Sequence, residues 1–180
     1  MKMNKNLLTI FLAGAFLLGL NVAADAQKRR RPVRKKAAVA AKATAAAAAA
    51  SEIKSGAEKV SVQIKNVTKF VYVLGGIARN IEEIDRDAKS GKFSQTAVSR
   101  NETNKKTVIL SIRNLQAGLA ALEGEFRAKP ALKNYLFQIQ GITDLSRQSE
   151  DSAAAGRFVD SGKILLTVVE RLSDTLAAMP

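Results

Sequence analysis

The sequence predicts an all-α protein, an antiparallel helical bundle with coiled-coil-like packing. Three observations predict it. Apolar residues recur at spacings of 3 and 4 in four segments of residues 51–180, which places them on one stripe of a helix. Strict alternation, the pattern of a half-buried strand, is not sustained anywhere. Pro is absent from Ser51 until Pro130, so nothing interrupts two long helical stretches.

The first stripe reads Ile53, Ala57, Val60, Ile64, Val67, Val71, Leu74, Ala78 and Ile81. Ser51 is read as its N-cap, and Ser90-Gly91 as its end. The second is strongest at Val108, Ile112, Leu115, Leu119, Leu122 and Phe126. Ser94 is read as its N-cap. Lys129-Pro130 breaks the chain before a third stripe, Leu132, Leu136, Ile139 and Ile142. The fourth reads Phe158, Gly162, Leu165, Val169, Leu172, Leu176 and Met179. A near-3.5 period predicts left-handed packing of these stripes against one another.

The number of helices depends on residues 151–156. A turn there gives four helices, which is the favoured reading; without one, residues 131–178 form a single helix and the bundle has three. Gly75-Gly76 lies in the middle of the first helix, where each Gly costs up to about 1 kcal/mol against Ala. The pair reads as a kink or a close helix contact, with a hinge as the lesser reading.

Ahead of the bundle, residues 1–26 read as a signal peptide. Lys2 and Lys5 precede an uncharged apolar run from Leu7 to Leu20, and Ala24-Asp25-Ala26 supplies a small-x-small cleavage pattern. The protein is therefore expected in the periplasm or medium. The alternative is an inner-membrane anchor at residues 7–24, because the basic residues after the run outnumber those before it and resist translocation.

The net charge of +13 is concentrated in one stretch. Residues 27–50 hold eight basic residues, Lys28, Arg29, Arg30, Arg31, Arg34, Lys35, Lys36 and Lys42, and no acidic one. Residues 51–180 carry only +4. The basic part repels itself, has almost nothing to bury and is expected to be disordered. Ala37–Ala50 contains eleven Ala, the strongest helix former, and either extends the following helix backwards or acts as a spacer. The stretch reads as an arm for anionic lipid headgroups or an anionic envelope polymer, or else as a solvated linker. Its Lys/Ala composition resembles the tails of linker histones, which implies nucleic acid as the alternative partner. No aromatic is interleaved for base stacking.

Composition narrows the chemistry. The chain has no His, Cys or Trp, which removes imidazole bases, thiolate nucleophiles, disulfides and the common zinc sites. No phosphate-binding glycine loop or nucleophile elbow appears. The run from Asp85 begins like a calcium loop but has Lys89, Ser90 and Thr96 at positions that need a ligand, a Gly and a Glu. No cofactor, metal or catalytic residue is assigned. The expectation is a non-enzymatic binding or structural protein of a bacterial envelope, with self-association through the heptad stripe as a further partner mode.

One internal feature reads as a site. The second stripe is lost over residues 101–106 (NETNKK), level with residues 75–84 of an antiparallel first helix. Arg79, Glu82, Asn101, Glu102, Lys105 and Asp151, with Glu150, then form a polar belt, provided the third helix is unbroken. The preferred reading is a solvated face with pairs such as Glu82–Arg86 and Arg147–Asp151; the sharper one is a binding notch or a register-fixing layer.

Overall fold

The structure is a computed structural model that describes the backbone of residues 31–180 and the side chains of residues 39–180. The signal peptide or anchor of residues 1–26 therefore lies outside the described residues, as do Lys28, Arg29 and Arg30 of the arm. Every described segment of regular structure is helical. The elements are α1 (Arg31–Ala88), α2 (Gln95–Ala128), a 3-10 helix (Pro130–Tyr135), α3 (Leu136–Ile139), α4 (Ile142–Ala154) and α5 (Phe158–Ala178).

The chain divides into two compact units, Met1–Ala41 and Lys42–Pro180. In the first, the backbone is helical from Arg31 and Val39, Ala40 and Ala41 are exposed. The second is the bundle. Ser51 does not start a helix. The Ala-rich stretch before it is already helical, because each Ala gives up almost no side-chain entropy on becoming helical and the helix nucleus is supplied downstream. Of the two roles open to Ala37–Ala50, backward extension is the one taken.

The core is the predicted stripes meeting each other. Val60, Val67, Leu74, Ala78 and Ile81 of α1 are buried with Val108, Ile112, Leu119, Leu122 and Phe126 of α2. From the C-terminal half come Leu132, Ile139, Ile142, Phe158, Leu165 and Leu172. Other stripe positions, such as Ile53, Ile64, Val71 and Leu115, are half-buried and pack against this core. On α5 the buried line runs through Ser161, Val168 and Thr175. The predicted Gly162, Val169 and Leu176 are only half-buried. The stripe is rotated toward α4, whose small Ser149, Ser152 and Ala153 allow close approach. Two hydroxyls lie in that seam, and Ser149 Oγ and Ser161 Oγ satisfy each other at 2.8 Å. A buried hydroxyl left alone would cost about 1–3 kcal/mol.

The turns decide the helix count. Ser94 caps α2 as predicted, its side chain accepting from the Ala97 amide at 3.3 Å. A turn does fall at residues 155–157, with Gly156 at φ +78, so the three-helix alternative is excluded. The third segment differs from the expected single helix. Its four apolar positions are shared among the 3-10 helix, α3 and α4, and Gly141 at φ +88 separates the last two. Spacings of 3 and 4 fit a broken series of turns as well as one helix, which is why periodicity missed the break. Gly75-Gly76 makes no close helix contact, since a Cβ at either position would meet nothing within 4 Å.

Candidate functional site

The predicted belt does not exist as one layer. Its premise was an unbroken third helix, and the turn at residues 155–157 removes it. Asp151 sits exposed on α4, paired with Arg147 at 3.4 Å. Glu150 pairs instead with Arg113 of α2. The remaining residues divide into two clusters.

The first cluster joins α1 to α2. Asn101 is only 2% exposed, contrary to a solvated face. Its Nδ2 donates to the Ile81 carbonyl at 3.1 Å and to Asp85 Oδ1 at 2.8 Å. The other Asp85 oxygen pairs with Lys105 Nζ at 2.8 Å, and Lys105 also reaches Glu102 at 2.8 Å. Desolvation works to lower the pKa of the Lys105 ammonium, but the bonds from Asp85 and Glu102 outweigh it and hold the pKa above its usual value. Asn101 Oδ1 is buried without a partner. The two Nδ2 bonds tie α2 to the backbone and a side chain of α1 at this level.

The second cluster lies where α1 meets the start of α5. Glu82 does not pair with Arg86. Its Oε1 accepts from the Val159 amide at 2.8 Å, at the positive end of a 21-residue helix that has no side-chain cap of its own. A carboxylate there is stabilised by the exposed amides and the helix dipole. Around it opens a cleft of about 510 Å³ lined by Arg79, Arg86 and Arg157 and by Glu82, Glu83, Asp85 and Asp160. Three cations and four anions make it nearly balanced, so it favours neither sign of ligand.

A third polar centre was not foreseen. Glu123 of α2 is 4% exposed. It accepts from the Gly141 amide at 3.0 Å, the Thr143 amide at 3.1 Å and the Thr143 hydroxyl at 2.8 Å. Arg127, one turn along, completes the set. Burial alone would raise the Glu123 pKa, yet these four donors lower it below the usual Glu value. Glu123 thereby caps α4 from a neighbouring helix, and Gly141, the N-cap residue, has no side chain to do so. The only signal available was negative: α4 begins without Ser, Thr, Asp or Asn at its N-cap.

Of the arm, Lys42 is exposed on α1, and the backbone of Arg31, Arg34, Lys35 and Lys36 is helical. Among the described residues no Asp/Glu group is arranged to hold a metal ion, and no helix is long and apolar enough to cross a membrane. No protein-family model, curated protein or solved structure matches this chain.

Proposed function

We propose that this chain is an exported, non-enzymatic protein of a bacterial envelope whose basic N-terminal arm holds it to an anionic surface or polymer. One observation carries the reading: the separation of charge along the chain. Residues 27–50 hold eight basic residues and no acidic one, whereas the 130 residues that follow carry +4. The exposure of Lys42 on the helix supports it, because a solvated ammonium is available to an anionic partner. A cluster of Lys and Arg is attracted to an anionic surface by about 1 kcal/mol per residue at close range. The bundle is the part so held, and it acts by binding or as a structural component.

The test is binding of the full chain to phosphatidylglycerol vesicles over a range of salt, beside a variant with the eight arm cations changed to Gln. The expected result is tight binding that weakens steeply with salt and is lost in the variant. Unchanged binding in the variant overturns the arm. N-terminal sequencing of the exported protein tests the rest, with Gln27 expected as the first residue. A chain retained in the cell and bound to nucleic acid would favour the histone-like alternative.

A further inference from the structure

A second pocket, of about 250 Å³, lies between α1 and α5 beside the charged cleft. Its walls are Leu74, Ala78, Phe158 and Leu166, its α1 side includes Gly75, and Arg79 and Lys163 also line it. Gly75 is the feature that asks for an explanation. It lies inside a helix, without a positive φ, and a Cβ there would meet no atom within 4 Å. Neither backbone geometry nor packing requires a glycine. Gly75 lines the pocket without a side chain to occupy its space, whereas Gly76, equally open at its Cβ, does not line it. Mid-helix glycine of this kind suits close approach of a ligand to the backbone.

The lining also specifies the ligand. Arg79, one helical turn beyond Gly75, makes no ion pair among the described residues and lines both this pocket and the charged cleft. Lys163 is paired only with the exposed Asp160, at 3.0 Å. Leu166 is 49% exposed beside the pocket. An apolar space with two accessible cations beside it complements a molecule with an apolar chain and an anionic end. The volume is below the roughly 300–1,000 Å³ of drug-sized sites, which selects a single short chain.

We propose that the α1–α5 pocket binds a single-chain amphiphilic anion, its chain against Gly75 and Phe158 and its charged group on Arg79 and Lys163. This site is separate from the arm and does not depend on it.

The experiment is a titration of the ¹⁵N-labelled full chain with octanoate, octanol and octylamine, read at the Gly75 and Gly162 amides. Reading these two amides keeps any binding to the arm apart from binding to the pocket. Octanoate should shift both amides saturably, and octanol should do so at least about fivefold more weakly. Octylamine should leave them unmoved. Gly75→Leu should abolish the octanoate shift while the thermal midpoint stays at or above that of the parent. Arg79→Gln, a change at an exposed residue, should weaken octanoate severalfold toward the level of octanol. No saturable shift with octanoate overturns the proposal, as does octanol or octylamine binding as tightly. Full octanoate affinity in either variant also overturns it.

Discussion

The starts of α4 and α5 solve one problem in two ways. Neither helix has a side-chain cap in its own N-cap residue, Gly141 or Arg157. Each borrows a glutamate from a helix that is distant in sequence. At α4, Glu123 is buried and receives two amides, a hydroxyl and a guanidinium. At α5, Glu82 receives one amide and borders an open cleft. The first carboxylate is saturated by four donors and only 4% exposed, although a pocket of about 350 Å³ opens beside it, so capping accounts for all of its visible partners. The second accepts a single amide and lies among further charged side chains, Arg79, Arg86 and Arg157 with Glu83, Asp85 and Asp160. Similar chemistry therefore closes two helix ends with different degrees of satisfaction.

The largest effect expected from breaking this comparison is at Glu123. Glu123→Ala strands two amides and a hydroxyl in a buried setting and should cost about 2–3 kcal/mol in chemical denaturation. Glu123→Gln keeps an acceptor and should cost about half as much. Glu82→Ala removes one amide partner at a more open site and should cost about 1 kcal/mol. A loss at Glu82 equal to that at Glu123 would erase the distinction drawn between them. Arg127→Ala should cost about 0.5 kcal/mol, because Arg127 is largely exposed and its ion pair is screened.

Acid provides a finer probe of the same difference. The folded-state pKa of Glu123 is lowered, so its contribution is fully present above the unfolded value of about 4.3. It is lost as pH falls through the lowered folded value. The stability gap between the parent and Glu123→Gln should therefore be constant from pH 7 to 5 and close below about pH 4. A gap that does not begin to narrow as the pH falls below the unfolded value would show that geometry, not charge, makes the cap.

The α1–α2 end offers a comparison of its own. Asn101→Asp places a carboxylate against Asp85 and should destabilise by about 1–2 kcal/mol. Asn101→Leu gives up two hydrogen bonds but also removes the partnerless Oδ1, so its net effect should be smaller, about 0–1 kcal/mol.

How much of this was legible in the sequence differs by element. The stripes of α1 and α2 were readable because long helices bury one face at a fixed period. Ser94 was readable as a cap because its partner lies three residues away. Asn101 was readable as polar but not as buried, since a polar residue that breaks an apolar stripe looks solvated until its partners are known. Asp85 had the same difficulty, lying in a mixed-charge run that reads as surface. Glu123 was invisible, because what it caps lies 18 and 20 residues away and is made of backbone amides. The third segment was misread as one helix because Leu132, Leu136, Ile139 and Ile142 keep helical spacing across a break that only the left-handed Gly141 reveals.

By itself the sequence determined the helical class, the placing of the charge in residues 27–50 and the absence of imidazole and thiol chemistry. These depend on composition and on periods within one helix. The tertiary structure alone decided which carboxylates close helix ends, which polar residues are buried and where a pocket opens between α1 and α5. Those depend on distances between residues far apart in the chain, and local spacing carries no information about them.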